Sequence, residues 1–144
     1  MNTFPAWPAF VAALIALFAK TSATSMLQVV ARLRAGTFLL PEDAALLRVR
    51  PVAAEANIVQ RCACVWRNDV ENLPLFLALA LAFVLAGAPA PSAALLFSLY
   101  VALRYLHTGA YLFGLQPWRA MLYLGSLATC WTIGVKTVLL TFAM

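Results

Sequence analysis

Charge is what this chain has least of. Lysine and arginine together number 10 and aspartate and glutamate five in 144 residues, so charged side chains make up 10% and apolar ones 65%. A soluble domain of this length would carry about 25% charge. With a mean hydropathy of +0.90, lipid is the natural solvent. Cysteine is nearly absent too. Cys62, Cys64 and Cys130 are an odd number, two of them beside cations on what reads as the cytoplasmic side, which argues against a disulfide framework. The C-x-C pair offers two ligands with no histidine near it, so no metal site is expected. Long basic runs are missing: the net charge of +5 is spread along helix ends, which argues against a nucleic-acid partner. So is the alternation of a membrane β-barrel. The first apolar segment is too long for a signal peptide and has no basic leader, so it is expected to be a retained helix.

What is present is four apolar segments, near residues 8–34, 66–86, 92–113 and 117–142. A bilayer core of about 30 Å asks for ~20 helical residues, and each segment reaches that length, the second only by including polar residues at its start. With the polar lead-in to the second included, the helices are expected at about 8–34, 57–86, 92–113 and 117–142. Pro5 and Pro8 mark the entry to the first and Gly36 its stop. GAPAPS at 87–92 makes a tight turn, with Ser92 the expected N-cap of the third helix; Gly114 ends that helix and Pro117 opens the fourth. The short second and third turns force antiparallel neighbours. The fold class is therefore an all-α membrane protein, an up-down bundle of four transmembrane helices forming one domain over 1–144. Arg32, Arg34, Arg48, Arg50 and Arg61 surround the first loop and Arg119 lies by the third, while the N-terminus and the second loop carry no cation. By the positive-inside rule the first and third loops face the cytoplasm. Lys136, near the opposite end, can snorkel to its interface.

The stretch RNDVENLPLFL at 67–77 breaks the pattern. From Leu73 to Ala86 only 14 residues follow, about 21 Å of helix, too short to span. Glu71 and Asn72, and with them Asp69 and Asn68, must then lie at membrane depth, facing protein or water. At 100° per residue Gln60, Cys64, Arg67, Asn68 and Glu71 share a face, and Arg67 and Glu71 can pair. Tyr100, Arg104, His107 and Tyr111 form a stripe on the third helix; Arg119 and Tyr123 are one turn apart on the fourth. Lys20, Asp69, Glu71 and Arg104 fall at similar depth, which suggests a neutral buried ion layer. Nearer the cytoplasm Arg32, Arg61, Arg67, His107, Arg119, Tyr111 and Tyr123 exceed the acids able to pair them. A small ligand bearing carboxylates would explain that surplus, since arginine forks bind carboxylates bidentately. Arg34, Arg48 and Arg50 fit contact with lipid phosphates.

The motifs R-x-R (32–34), PEDA (41–44), R-N-D-x-E-N-x-P (67–74) and R-x-x-H-T-x-A-Y-L (104–112), with Arg119 after Pro117, resemble the MAPEG family of membrane-associated proteins in eicosanoid and glutathione metabolism. They look most like the branch of microsomal glutathione S-transferase 1 and microsomal prostaglandin E synthase 1. The resemblance implies a homotrimer with glutathione as cofactor, bound between subunits on the cytoplasmic side. It places the glutathione contacts on Arg32, Arg67, Asn68, Glu71, His107, Tyr111, Arg119 and Tyr123. It implies catalytic roles for Arg119, which would favour the thiolate, for Tyr123, and for Asp43 in the PED motif. The implied activity is that of a glutathione-dependent membrane transferase or peroxidase acting on hydrophobic electrophiles. The alternative is a non-catalytic membrane protein of the same fold that binds lipid or small anionic ligands. Cys64 stands where the close relatives have a further arginine, and Ala120 where the prostaglandin synthase has a serine. Gln60, Trp66 and the early Pro74 are further departures. Other than itself, the expected partners are membrane lipid and a hydrophobic small molecule. The alanine-rich chain suits a bacterial inner membrane, with the endoplasmic reticulum as the alternative.

Overall fold

The computed structural model describes residues 4–142 and, among these, is built of helices. Four are long: α1 (Trp7–Ala35), α3 (Asn57–Leu85), α4 (Ala90–Phe113) and α5 (Trp118–Phe142); α2 (Pro41–Leu46) is one short turn in the first loop. By length and composition α1, α3 and α5 are each able to cross a membrane. The 24 residues of α4 reach about 36 Å, also enough to span. Its apolar character is interrupted by Arg104 and His107, both buried against protein. The expected all-α bundle is therefore present.

The helix ends follow local chemistry. Gly36 (φ 61°) and Gly114 (φ 71°) stop α1 and α4 in the left-handed region, where a Cβ is unfavourable. The expected cap at Ser92 is not formed: α4 starts two residues earlier, behind Pro89, with Pro91 in its first turn, where proline has no helical N–H to lose. At the other end of α4, Arg61 from α3 serves as the cap, its Nη1 donating to the carbonyl oxygens of Tyr111 (3.3 Å) and Leu112 (3.1 Å). A Cβ on Gly114 would lie 2.5 Å from that Nη1. Gly114→Ala should therefore both strain the backbone and displace the cap, lowering stability by about 1–3 kcal/mol; thermal unfolding in detergent measures it.

The long helices are arranged with α3 and α4 as a central pair. α1 packs on one side of that pair and α5 on the other; among the described residues α1 and α5 do not touch. The core is aromatic. Phe76 of α3 stacks on Tyr100 of α4 with centroids 3.7 Å apart, and Phe97 makes T-shaped contacts with Phe10, Phe76 and Phe83. The hydroxyls of α5 turn inward on their own helix. Ser126, Thr129, Thr132, Thr137 and Thr141 each donate to the carbonyl four residues back, so none needs water.

One polar layer crosses this core. Lys20 of α1 donates from Nζ to Asp69 Oδ2, and Arg104 of α4 donates from Nη2 to Asp69 Oδ1 at 2.8 Å. All three side chains are almost fully buried. The neutral four-charge layer expected from depth differs in one member: Glu71 is exposed and takes no part. Depth along a helix does not fix azimuth, and Glu71 lies two residues, some 200°, round α3 from Asp69. The buried triad is thus two cations on one carboxylate.

Candidate functional site

The polar stripes of three helices meet in a cavity of about 310 Å³. It is lined by Asn68 of α3, His107 and Tyr111 of α4, and Arg119, Ala120 and Tyr123 of α5. Helical spacing makes this possible: 107 and 111, and 119 and 123, are each one turn apart and so share a face. The turn at Gly114 brings the two pairs together. The Arg119 guanidinium lies 4.6 Å from the centroid of the Tyr111 ring, a cation–π contact. Behind Tyr111, the His107 ring sits with its centroid 5.9 Å away, tilted by 61°. With the Gln116 amide oxygen turned to Arg119, it accepts from Nε at 3.1 Å and from Nη2 at 2.5 Å. That oxygen orients the guanidinium without neutralising it.

Asn68 joins the cavity to the buried triad. Arg104 Nη2 donates to Asn68 Oδ1 at 2.5 Å as well as to Asp69. With its oxygen committed to Arg104, the Asn68 side chain has its amide N–H groups to offer. Arg104 Nε and Nη1 and His107 Nδ1 are buried and have no hydrogen-bond partner within the described residues. The cavity thus gathers a guanidinium, an imidazole, two phenols and a carboxamide, and no acid. Such a donor set fits an anion that accepts several hydrogen bonds.

Of the residues singled out by sequence, Asn68, His107, Tyr111, Arg119 and Tyr123 come together here. Arg32, Arg67, Glu71 and Asp43 do not line the cavity. Arg32 pairs with Glu55 through Nε–Oε1 at 2.5 Å, a partner the sequence signalled only as a lone acid between loop arginines. Arg67 is exposed and its Nη2 lies 3.9 Å from Cys64 Sγ; Glu71 is exposed, and the expected Arg67–Glu71 pair is not formed. Asp43 is exposed on α2, which packs on none of the long helices. The roles of Arg61 as a helix cap and of Gln116 as an acceptor for Arg119 were not foreseen. Only the i+3 spacing of Gln116 and Arg119 hinted at the second.

Comparison with known proteins places these features. The sequence profile of the MAPEG family matches residues 9–139, from the first turn of α1 to the last turn of α5. The chain belongs to the MAPEG family. It is also 31% identical to horse (Equus caballus) prostaglandin E synthase over 134 residues, 92% of this chain and 88% of that protein. As a MAPEG member it is an integral membrane protein, of a family that includes glutathione-dependent enzymes. The resemblance read from R-N-D-x-E-N-x-P and R-x-x-H-T-x-A-Y-L is therefore correct.

Proposed function

We propose that this MAPEG protein is a glutathione-dependent membrane transferase or peroxidase whose site is the cavity between α3, α4 and α5. The observation that carries the reading is the convergence of Asn68, His107, Tyr111, Arg119 and Tyr123 around one space without an acid among them. Glutathione, with two carboxylates and a thiol, matches that donor set and supplies a sulfur nucleophile. A free thiol titrates near about 8.5, so a fixed guanidinium raises the reactive fraction at neutral pH. Arg119, steadied by Tyr111 and Gln116, is the residue to do this, and Tyr123, one turn on, donates from its hydroxyl to the same sulfur. Asn68 and His107 would hold the carboxylates and peptide groups, with Asn68 fixed by Arg104. The apolar flanks of the helices let a hydrophobic electrophile arrive from the lipid, and proximity to the held sulfur does the rest.

The functional unit in this reading is a homotrimer. Arg32 and Asp43 sit on α1 and the first loop, and α1 does not touch α5. Within one chain they do not line the space beside Arg119; against a second copy's α5 they would complete the site. Arg67 and Glu71, exposed on α3, would then be covered and face ligand. The arginine-rich loops put this site on the cytoplasmic face, of a bacterial inner membrane in the reading that fits the composition.

Isothermal titration of glutathione into the detergent-purified protein tests the reading. Wild type should bind, and Arg67→Ala should weaken binding by about 10- to 150-fold, the loss of one charged hydrogen-bonding group. Binding without a thiolate absorbance band would favour the non-catalytic alternative, for which the lack of a hydroxyl at Ala120 beside Arg119 speaks. No heat from wild type at millimolar glutathione would end the glutathione reading.

A further inference from the structure

The thiol of Cys64 lies at the margin of the cavity and has no role in the function proposed above. It is unpaired and half-buried. It stands one helical turn before Asn68, so it shares that residue's face of α3. The Arg67 Nη2 is 3.9 Å from its sulfur, and the Cys64 thiol is a polar neighbour of the Tyr111 hydroxyl. Two further observations point to a ligand beside it. His107, 3% exposed, lines the cavity with Nδ1 unpartnered, and the cavity's donors have no acid to satisfy them. Cys62, two residues away, is fully buried and Cys130 lies in a separate groove bounded by Trp131 and Leu79. Cys64 alone of the three has a guanidinium in contact with its sulfur and lies one turn from a residue that lines the anion-binding space.

We propose that Cys64 is a thiol–disulfide exchange site that accepts a glutathionyl group from glutathione disulfide, the tethered tripeptide occupying the cavity. This rests on the glutathione reading of that cavity. The Cys64 thiolate attacks one sulfur of glutathione disulfide. The disulfide S–S bond breaks, the Cys64–glutathione S–S bond forms, and the other half leaves as a glutathione thiolate that takes up the proton lost from Cys64. Cys64 is oxidised and the leaving half is reduced, so no further oxidant is needed. Attack by free glutathione on the mixed disulfide runs the step backwards. The Arg67 guanidinium stands beside the attacking sulfur, and the cavity's donors select a disulfide that carries carboxylates. The consequence is a redox switch: with the tripeptide tethered, the same donors are taken and free glutathione cannot bind.

The reduced, detergent-purified protein is mixed with glutathione disulfide, or with the uncharged bis(2-hydroxyethyl) disulfide, and followed by intact mass and peptide mapping. One glutathionyl group should appear, on the peptide carrying Cys64. It should form at least ~10-fold faster than the hydroxyethyl adduct, the factor that one charge-assisted contact supplies. The modified protein should give no heat on glutathione titration until it is reduced. Cys64→Ser should take up no group yet bind glutathione as wild type does. Modification of Cys62 or Cys130 instead, or equal rates with the two disulfides, overturns the proposal. So does glutathione binding by wild type without any adduct, which leaves the glutathione reading standing. Absence of both binding and adduct overturns the two together.

Discussion

Asp69→Asn is expected to lower stability by about 3–5 kcal/mol, the range for removing one partner of a buried ion pair. The substitution keeps the shape and removes the only carboxylate of a layer in which Lys20 and Arg104 both bond to it. Two cations would remain among apolar helices with nothing to offset them. Lys20→Met is the informative comparison. It leaves Asp69 with Arg104 as a neutral pair, so it should cost markedly less than Asp69→Asn despite losing an ion pair of its own. Thermal unfolding of both variants in the same detergent decides the matter. Equal losses would mean that the layer acts as a set of hydrogen bonds and not as a charge balance.

Arg119→Leu should leave glutathione bound and depress kcat/KM towards a hydrophobic electrophile by about 10²–10³-fold, as removal of one preorganised charge from a reacting centre does. Its guanidinium is held over Tyr111 and against Gln116, so little reorganisation is needed when negative charge develops on sulfur. The thiolate absorbance band should vanish in the variant while the titration heat persists. A variant that loses binding and activity together would make Arg119 a carboxylate anchor, and the activating group would have to be sought at Tyr123. Gln116→Ala offers a milder version of the same test, with the guanidinium retained but freed.

The bundle itself was readable because lipid imposes simple demands: four apolar stretches of spanning length, with Gly36 and Gly114 at two of their ends. The cavity was readable for a related reason. A polar side chain inside a membrane helix must face inward, so the faces carrying Asn68, His107, Tyr111 and Arg119–Tyr123 had few ways to meet. What the sequence did not disclose depends on azimuth and on long side chains. Glu71 and Arg67 belong by spacing to the polar face of α3, yet they sit at its edge, where a single chain leaves them exposed. Arg32 reaches Glu55 across the first loop, and Arg61 crosses to the end of α4. The first pairing depends on how an irregular segment folds back and the second on the reach of a long side chain, neither of which periodicity encodes.

The buried triad joins α1, α3 and α4, and α5 has no part in it. The last helix is held by apolar packing around Ile133 and by the close approach of Gly125 to Leu103, while its hydroxyls bond only to itself. During synthesis, then, the charges of Lys20, Asp69 and Arg104 can find one another before α5 has left the ribosome, and the first three long helices enter the bilayer with their costly groups already matched. The final helix docks on a frame whose register is set, bringing Arg119 and Tyr123 to Asn68, His107 and Tyr111. Formation of the buried ion layer and formation of the reactive pocket are therefore separate events, and the second waits for α5 to dock.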